Sequence, residues 1–383
     1  MKSLLILFHC RSNTGYAIAT LERIFFQMAC RLCDDDISRI HFAYPTMQSG
    51  PSRTLPERLR QYTVIDANSR DRDHWCAVGE YLRQHEVDLL FGFDQPVHQP
   101  IYRHFRRAGV KHFISYWGAS MSSLNRWPMR YLKRAEVLCR INGPDHYIFE
   151  SQGMADLAVL GRGVPRQRVS MVPLGVDYRR FKPDSIDAYY VYEELAIPKE
   201  RRIFFYSGHM EPRKGIAVIM EAANRLADRR AARDWHILLC GNREHQSAPY
   251  ERILTATARE HVTFGGYRSD LERLHRGCYA AVIASNGWDS LTASGLEVQA
   301  SGLPLIVSDL PGLREVVEDG VSGIVVKAGD AADLANAIQG LLDDPRKRDQ
   351  LGMQARRRIE DRFTEERQVS GLVDVVTRVI QPR

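Results

Sequence analysis

The sequence predicts an α/β protein built from two doubly wound parallel sheets. Its 383 residues suffice for two to three domains. Short apolar runs bounded by turn residues alternate with amphipathic stretches along nearly the whole chain, which is typical of parallel strands covered by helices. The alternation breaks over residues 173–200, where Pro173, Gly175, Pro183 and Pro198 interrupt it. This break predicts a linker between two lobes of similar size.

The first lobe is predicted to contain seven strands separated by helices. Each strand is an apolar run between turn signals, as expected for strands buried on both faces of a parallel sheet. The strands are expected near residues 3–9, 38–44, 62–66, 88–92, 112–116, 146–150 and 169–172. The helices are expected near residues 15–32, 74–85, 98–108, 122–138 and 151–160.

The second lobe repeats the alternation after the linker. Its strands are expected near residues 202–206, 235–240, 261–264, 279–284, 304–308 and 323–326. Its helices are expected near residues 214–230, 247–260, 268–276, 292–301 and 331–343, with further helix over 345–380.

These elements predict two domains. The first is expected over residues 1–175 and the second over residues 176–364, with a C-terminal helix of about residues 365–383 packed back on the first domain. Ligands of such sheets bind outside the carboxyl ends of the strands. We therefore expect the two domains to face one another across a ligand-binding cleft.

Charge is unevenly distributed along a chain of otherwise ordinary composition. Hydrophobic residues make up 44% and charged residues 26%, with a formal net charge of +6. Residues 1–184 carry 26 basic and 18 acidic side chains, a net charge of +8, whereas the remainder carries −2. A cationic lobe indicates an anionic substrate or a membrane surface as partner. No nucleic-acid-binding module is recognisable in the sequence.

Cysteine usage and the N-terminal segment indicate a cytoplasmic location. The seven cysteines are an odd number without a disulfide-type framework, which is typical of free thiols in a reducing compartment. The apolar run over residues 4–8 is too short for a signal peptide core or a membrane span, and it fits a first buried strand better.

A basic pair follows the first strand of the second lobe. Arg213 and Lys214 follow a glycine turn and stand at the expected start of a helix. Cations are unfavourable there because of the helix dipole, but a bound phosphate would reverse that penalty. The pattern therefore indicates an anion site, with two side chains that simply reach solvent as the alternative.

A second motif follows the fourth strand of this lobe. Asp289 and Glu297 are eight residues apart, across a loop and the start of a helix near Thr292. The backbone N–H groups of Ser290, Leu291 and Thr292 would lie at a helix N-terminus, where they can bind a diphosphate. Carboxylates beside them can accept hydrogen bonds from sugar hydroxyls.

Together these motifs resemble those of retaining glycosyltransferases of the GT-B fold, family 4, also called glycosyl transferases group 1. The family's Gly-Arg-x-x-x-x-Lys-Gly turn is matched by Gly208, His209, Lys214 and Gly215. Its acid and Glu, separated by seven residues, are matched by Asp289 and Glu297. Residues 302–304, 312–323 and 172–183 resemble three further family segments, namely Gly-x-Pro, the Glu315 loop and the interdomain hinge.

The resemblance implies a GT-B protein that transfers a hexose from a UDP- or GDP-sugar, with retention and without a metal or bound cofactor. The acceptor would be a glycan, a lipid-linked molecule or a small molecule with a hydroxyl group. Lys214, with Arg213 nearby, would stabilise the leaving diphosphate, while Asp289 binds the donor sugar and Glu297 the ribose. Further donor contacts would come from Gly15, Gly208, His209, Ser290, Leu291, Thr292 and Glu315.

Several positions depart from the family pattern. His209 replaces an Arg, and Asp289 replaces a Glu whose side chain is one methylene longer. Trp117 stands where many members have a His, so that it either stacks on a sugar or belongs to the core. Pro311 replaces the first glycine of the loop that carries Glu315. These departures keep open a catalytically silent sugar-nucleotide-binding subunit, and the fold also permits a phosphorylase or an epimerase.

The first lobe offers candidates for the acceptor site. His9, Asp94, Gln95 and His98 lie at predicted strand ends, and they are either acceptor ligands or turn and capping residues. Gly15 opens the first helix, where it allows either a close approach to ligand or a plain tight turn.

Two other features of the first lobe have alternative interpretations. Basic residues interleaved with aromatic ones predict a membrane-surface patch, a field for an anionic acceptor, or a solvated face. They are Arg103, Arg106, Arg107 and Lys111 in one cluster, and Arg126, Trp127, Arg130, Tyr131, Lys133 and Arg134 in another. Residues 34–36 and 71–73 match the sequence motif Asp-x-Asp. Both lie in polar loops, which favours solvated acids over metal ligands.

Overall fold

The structure is a computed structural model that describes residues 1–122, 128–139, 142–229 and 234–381. The chain divides into two compact units. The N-terminal domain comprises Met1–Pro173 and Glu365–Arg383, and the C-terminal domain comprises Leu174–Thr364.

The N-terminal domain contains a seven-stranded parallel sheet. Its strands are apolar and almost entirely buried in the middle of the sheet, as strands covered by helices on both faces must be. They are β1 Ser3–Leu7, β2 Ile40–Tyr44, β3 Tyr62–Val64, β4 Val87–Phe93, β5 His112–Trp117, β6 His146–Phe149 and β7 Val169–Met171. Their order is β3-β2-β1-β4-β5-β6-β7. The strand order reverses between β1 and β4, where such sheets bind ligands.

Six α-helices belong to the described part of this domain. They are α1 Tyr16–Leu32, α2 Arg72–Gln84, α3 Tyr102–Ala108, α4 Met129–Cys139, α5 Gln152–Asp156 and, from the C-terminal end of the chain, α15 Glu365–Ile380. The helix predicted over 151–160 is only partly α-helical, because residues 157–162 continue α5 as a π-helix. Part of the helix predicted over 122–138 lies outside the described residues.

The C-terminal helix α15 completes the N-terminal domain. It packs against α1 through an apolar face that includes Val369, Leu372 and Val376. Polar contacts fix it in place, since Gln368 Nε2 donates a hydrogen bond to the Tyr116 hydroxyl at 3.0 Å. The last segment of the chain therefore belongs to the N-terminal domain.

The C-terminal domain contains a six-stranded parallel sheet. Its strands are β8 Arg202–Ser207, β9 Trp235–Cys240, β10 Val262–Phe264, β11 Ala280–Ile283, β12 Leu305–Ser308 and β13 Gly323–Val326, in the order β10-β9-β8-β11-β12-β13. The order reverses between β8 and β11, so the carboxyl ends of these two strands form the ligand-binding edge expected for this topology.

The helices of the C-terminal domain cover this sheet. They are α6 Tyr190–Glu194, α7 Ile216–Ala227, α8 Ala248–Glu251, α9 Ala256–Arg259, α10 Leu271–His275, α11 Ala293–Ala300, α12 Pro311–Arg314, α13 Ala331–Asp343 and α14 Pro345–Arg362. The prediction of one helix over 247–260 is wrong, because Thr255 adopts an extended conformation and caps a separate helix α9. The helical stretch predicted over 345–380 is likewise two helices, α14 and α15.

Candidate functional site

The predicted donor-site residues converge where β8 and β11 end side by side. The loop after β8 forms a 3-10 turn, Pro212–Lys214, which Gly215 separates from α7. Arg213 and Lys214 therefore precede α7 instead of lying in it, which corrects the prediction that they start the helix. The carbonyl oxygen of Arg213 accepts a hydrogen bond from the backbone N–H of Asn286 at 2.9 Å, which joins the loops that follow β8 and β11.

Gly215 is the residue that permits this contact. Its φ of +73° lies in the left-handed region, and a Cβ atom there would lie 1.7 Å from the carbonyl oxygen of Ala284. The backbone of the β8 loop thus rests directly on the end of β11. No residue with a side chain can occupy this position without separating the two loops.

Lys214 and Asp289 form a bidentate ion pair at this junction. Lys214 Nζ lies 2.9 Å from Asp289 Oδ1 and 2.8 Å from Oδ2. The two side chains are 16% and 3% exposed. Asp289 also accepts hydrogen bonds from Ser285 Oγ at 2.6 Å and from the Ser290 backbone N–H at 3.0 Å. The carboxylate is therefore fixed by its own loop, while the lysine reaches it from the neighbouring one.

Arg213 faces the other side of the same loop. Its guanidinium group lies 4.2 Å from the centre of the Trp288 ring, and Nη1 donates to the Trp288 carbonyl at 3.3 Å. Nε forms an ion pair with Glu211 at 2.8 Å. The Trp288 side chain is 47% exposed, so the pair presents a flat cationic and aromatic surface beside Lys214.

The helix α11 begins directly after this loop, as predicted. Thr292 is its N-cap and accepts a hydrogen bond from the Gly295 backbone N–H at 3.2 Å. Ser290 and Leu291 are buried immediately before the cap, and Glu297 is only 4% exposed within the helix. The N-terminal end of α11, together with Lys214, forms an electropositive edge of the kind that binds phosphates.

The predicted residue Glu315 is brought to the same region by Gly312. A Cβ atom on Gly312 would lie 2.4 Å from the Asp289 carbonyl oxygen, so α12 packs directly on the Asp289 loop. Glu315 is half-buried just after α12, where its carbonyl accepts a hydrogen bond from Arg358 at 2.9 Å. The roles of Ser285 and Gly312 were missed from the sequence, although Gly312 opens the segment 312–323 named above and Ser285 stands four residues before Asp289.

Gly208 and His209 also lie in the β8 loop. The carbonyl oxygen of His209 accepts a hydrogen bond from the Tyr206 hydroxyl at 3.1 Å. The His209 side chain is exposed. A Cβ atom on Gly208 would lie 2.8 Å from the same hydroxyl. The loop is therefore closed tightly over the end of β8.

Gly15 belongs to the N-terminal domain, at the N-cap of α1. Its φ is +150°, and no atom lies within 4 Å of the position its Cβ would take. The preceding residues are held firmly, since Ser12 Oγ donates to the Gly50 carbonyl at 2.7 Å and Asn13 Oδ1 accepts from the Arg53 backbone N–H at 3.0 Å. An open face above a fixed turn leaves room for a ligand at Gly15.

The N-terminal domain has a cavity of about 240 Å³ at the carboxyl ends of its central strands. Three of the four acceptor candidates lie at or near its wall: His9 and Asp94 face each other, with Nδ1 and Oδ2 3.8 Å apart, and Gln95 follows Asp94. His98 is exposed and does not line the cavity. Burial raises the pKa of Asp94 to about 7 and lowers the pKa of His9.

Trp117 belongs to the domain core. Its side chain is 9% exposed and lies near Phe149, with a ring separation of 6.5 Å. These contacts favour the core interpretation of this residue over stacking on a sugar.

The second basic cluster lies on an unusually exposed helix. Within the described residues of α4, only Val137 is buried. Its surface combines two exposed cations, Arg130 and Arg134, and the half-buried Lys133 with four exposed large apolar side chains, Met129, Tyr131, Leu132 and Leu138. Arg126 and Trp127, which complete the predicted cluster, lie outside the described residues.

The first basic cluster is partly structural. Arg106 donates to Asp145 Oδ1 at 2.7 Å and to the Lys111 carbonyl at 2.8 Å. Arg103 and Arg107 are exposed beside it.

The two Asp-x-Asp segments, residues 34–36 and 71–73, have local structural roles. Asp36 caps a 3-10 turn, and Asp71 caps α2. Within the described residues, no group of three or more His, Cys, Asp or Glu side chains is arranged to hold a metal ion. Over the same residues, no helix combines the length and apolar character that a membrane span requires.

A comparison with known protein families matches most of the C-terminal domain. Residues 192–358 match the family model described as "Glycosyl transferases group 1". This segment lies within the C-terminal domain, covers less than half of the chain, and contains every predicted donor-site residue except Gly15.

Two curated relatives are named D-inositol 3-phosphate glycosyltransferase. The protein from Nocardia farcinica is 28% identical over 200 residues, which are 50% of this chain and 44% of the relative. The protein from Geodermatophilus obscurus is 30% identical over 267 residues, which are 64% of this chain and 56% of the relative. The chain thus spans about half the length of the curated relatives it matches.

Solved structures match over the whole chain. A glycosyltransferase from Rickettsia africae superposes with a TM-score of 0.82 at 15% identity, covering 100% of both chains. HepE from Anabaena, in complex with UDP-glucose, superposes with a TM-score of 0.76 at 17% identity, covering 98% of this chain and 99% of that one. The predicted fold class, two Rossmann-like α/β domains of the GT-B type, is confirmed.

Proposed function

We propose that the protein is a glycosyltransferase that moves a hexose from a nucleoside diphosphate sugar to a hydroxyl acceptor during glycan or glycoconjugate assembly. The observation that carries the proposal is the Lys214–Asp289 pair beside the N-terminal end of α11. A fixed carboxylate, a cation able to turn away from it and a set of helix N–H groups lie at one sheet edge. These are the groups that a sugar diphosphate requires. The match of residues 192–358 to glycosyl transferases group 1 supports the same site.

In the proposed reaction, the residues of the C-terminal domain stabilise the leaving group. Cleavage of the sugar–phosphate bond builds negative charge on the diphosphate and positive charge on the sugar ring. Lys214 would exchange Asp289 for the diphosphate, with Arg213 nearby, and the N–H groups at Ser290, Leu291 and Thr292 would share the charge. Asp289 would then accept a hydrogen bond from a donor-sugar hydroxyl, and buried Glu297 would bind the ribose. Gly208, His209, Glu315 and Gly15 would complete the donor contacts.

The same proposal states that the transfer retains the anomeric configuration, that it needs no metal ion, and that the donor is a UDP- or GDP-sugar. UDP-sugars are the first donors to test because HepE was solved with UDP-glucose, and GDP-sugars are the second. The names of the curated relatives contain D-inositol 3-phosphate, a phosphorylated compound. The family resemblance implies a wider class of acceptor, namely a glycan, a lipid-linked molecule or a small molecule with a hydroxyl group.

A donor panel tests this function. Purified protein is incubated with UDP- and GDP-sugars and an acceptor extract, with and without EDTA, and released nucleotide is measured. We expect nucleotide release that EDTA leaves unchanged, and a product whose NMR coupling constants match the donor anomer. Binding of a sugar nucleotide without release would favour a catalytically silent subunit, and a requirement for inorganic phosphate would favour a phosphorylase.

The variant Lys214→Ala tests the assigned residue. We expect turnover to be lost while the circular dichroism spectrum stays native. Lys347→Ala, which removes an exposed lysine from α14 in the same domain, is the matched control and should retain full activity. Unchanged turnover in Lys214→Ala would contradict the assignment.

We further propose that α4 holds the protein at the anionic inner surface of the cytoplasmic membrane. Four exposed apolar side chains interleaved with the exposed Arg130 and Arg134 and the half-buried Lys133 give the helix the composition of an interfacial helix. All seven cysteines are free and lie in the described part of the chain, which suits a reducing cytoplasm. We expect co-sedimentation with phosphatidylglycerol vesicles at low salt, and little with phosphatidylcholine vesicles.

The double variant Tyr131→Ser/Leu132→Ser tests this surface. It should lose vesicle binding, because it removes two side chains that are 63% and 62% exposed. Met353→Ser removes a 56% exposed apolar side chain from the other domain and should have no effect. Absence of binding in the parent protein at low salt would overturn the proposal.

A further inference from the structure

The cavity of the N-terminal domain lies at the reversal point of its sheet. Its wall is made by the residues that follow β1, β2, β3 and β4, which are neighbours in the order β3-β2-β1-β4. His9 follows β1 and Asp94 follows β4, so these two side chains lie on either side of the reversal. The volume of this cavity is about 240 Å³. This space suits one sugar ring.

The polar groups of this wall are acids, amides and one imidazole. They belong to His9, Asp66, Asn68, Asp94, Gln95 and Gln99. The remaining lining residues are apolar, and none of the described lining residues is Lys or Arg. Phosphate sites in proteins are built from cations and from N–H groups, whereas sugar hydroxyls pair with carboxylates, amides and imidazoles.

Asp94 is held in a strained and fixed conformation at this wall. Its φ of +51° lies in the left-handed region, which non-glycine residues rarely adopt. The backbone N–H of Gly118 donates to Oδ1 at 2.9 Å. Strain of this kind persists where the surroundings determine it, and it is concentrated at functional sites.

The second oxygen of Asp94 faces His9 across a gap. The distance between Oδ2 and Nδ1 is 3.8 Å, which is too long for a hydrogen bond. A hydroxyl group placed between the two atoms can donate to one and accept from the other. Burial raises the pKa of Asp94 to about 7 and lowers the pKa of His9, so above pH 7 the acid is mostly ionised and the imidazole is neutral. A phosphate dianion would then meet Asp66 and Asp94 without a compensating cation, whereas a neutral hydroxyl group carries no charge to be repelled.

We propose that this cavity binds the acceptor as an uncharged sugar ring or polyol, and that its two carboxyl groups exclude phosphomonoesters. The proposal rests on the proposed glycosyltransferase function, and it specifies the acceptor class for the N-terminal domain. His9 and Asp94 bind the ring hydroxyls, and the Asn68 and Gln99 amides, which hydrogen-bond each other at 2.7 Å, also line the cavity.

The test compares matched pairs of neutral and phosphorylated ligands. The full-length protein is titrated calorimetrically with glucose, mannose and myo-inositol, and with glucose 6-phosphate, mannose 6-phosphate and inositol 3-phosphate. Each titration is done with and without saturating UDP. We expect at least one neutral ligand to bind, and its phosphomonoester to bind at least tenfold more weakly. Equal or tighter binding of the phosphomonoester would overturn the proposal.

Variants locate the binding to this cavity. Asp94→Asn keeps the shape and tolerates a positive φ, and it should reduce the preference for the neutral ligand at least threefold. His9→Ala, at a half-exposed side chain that does not endanger folding, should weaken neutral-ligand binding about tenfold. Asp88→Asn is the matched control at the amino end of the same strand, and it should change neither value. Equal effects of Asp88→Asn and Asp94→Asn would contradict the assignment.

The same titrations separate this inference from the proposed function. If UDP binds and none of the neutral ligands does, the cavity is not the acceptor site, although the donor site stands. If neither UDP nor any UDP- or GDP-sugar of the donor panel binds, the proposed function itself is overturned.

Discussion

Asp289 is more constrained than its partner Lys214, and this difference defines their roles. The carboxylate is 3% exposed and accepts hydrogen bonds from Ser285 and Ser290 of its own loop, whereas the lysine is 16% exposed and reaches in from the β8 loop. Under the proposed function, an arriving diphosphate would therefore compete for the lysine and leave the carboxylate in place. The family that the sequence resembles has a Glu at this position, one methylene longer than Asp289. Here Ser285 donates a hydrogen bond to the shorter carboxylate and holds it in place.

Removal of the lysine should destabilise the C-terminal domain. Lys214→Met leaves a buried carboxylate without its cation, which costs about 3 kcal/mol in the free energy of unfolding. Lys199→Met is the control, because the Lys199–Glu193 pair lies in the same domain but is 58% and 65% exposed, and an exposed pair contributes less than about 1 kcal/mol. Urea unfolding followed by circular dichroism measures both. Equal losses of unfolding free energy in the two variants would show that the buried pair stabilises the domain no more than the exposed pair does.

A buried acid network in the N-terminal domain makes its stability depend on pH. Glu150 accepts a hydrogen bond from the Tyr116 hydroxyl at 3.0 Å, and Tyr116 in turn accepts one from Gln368. Burial, with a smaller contribution from the nearby Asp94, raises the pKa of Glu150 to about 8, although the hydrogen bond from Tyr116 opposes the shift. The folded domain therefore holds this proton more tightly than the unfolded chain, in which the pKa of Glu is about 4.3.

The N-terminal domain should lose stability as the pH rises. The contribution of protonated Glu150 is complete below about pH 4.3 and is lost as the pH rises through about 8, at up to about 1.4 kcal/mol per pH unit. Asp94 acts in the same direction. Urea unfolding at pH 6 and pH 8.5 should show the loss, and Glu150→Gln should reduce it. Glu80→Gln, at an exposed site, should leave the dependence intact. A parent protein equally stable at both values would contradict this expectation.

At the scale of elements, the donor site depends on a contact between two loops that belong to different strands. Gly215 brings the β8 loop onto the end of β11, and Gly312 brings α12 onto the Asp289 loop. Both contacts are backbone against backbone, so neither can adjust by a change of rotamer. The spacing between Lys214 and Asp289 is therefore set by glycines.

Gly215→Ala should disrupt the site more than a matched glycine substitution. Its Cβ would lie 1.7 Å from the Ala284 carbonyl, so the two loops must separate. Gly266 has the same φ of +73° but no atom near its Cβ position, so Gly266→Ala costs only the left-handed strain of about 1–2 kcal/mol. We expect Gly215→Ala to lose several kcal/mol in unfolding free energy and most of its affinity for a sugar nucleotide. Similar melting temperatures for the two variants would refute the close approach.

The strands could be predicted from sequence because buried parallel strands are continuous apolar runs, and all thirteen lie near the predicted positions. Helix continuity was harder, since the break at Thr255 depends on a local cap and not on periodicity. The pairing of Lys214 with Asp289 could not be predicted, because the two residues are 75 positions apart and meet only through sheet order. The network of Glu150, Tyr116 and Gln368 joins three distant segments for the same reason.

At the scale of the whole molecule, the chain leaves the N-terminal domain at Pro173 and returns to it at Glu365. The returning helix α15 packs on α1 and contributes Val369, Leu372 and Val376, all fully buried, to that domain. The N-terminal domain therefore lacks part of its core until the C-terminal domain has been synthesised. Its stability should respond to α15, whereas the donor site lies in a domain that does not contain this helix.

Truncation of one side chain in α15 should affect one domain only. Leu372→Ala removes a fully buried side chain and should cost about 2–5 kcal/mol in the N-terminal domain. Asp374→Ala, two residues further on the exposed face of the helix, should cost no more than about 0.5 kcal/mol. Differential scanning calorimetry with and without UDP identifies the donor-domain transition as the one that UDP raises. Leu372→Ala should lower the temperature of the other transition and leave that of the UDP-sensitive one unchanged. A shift of the UDP-sensitive transition alone would contradict the assignment of α15 to the N-terminal domain.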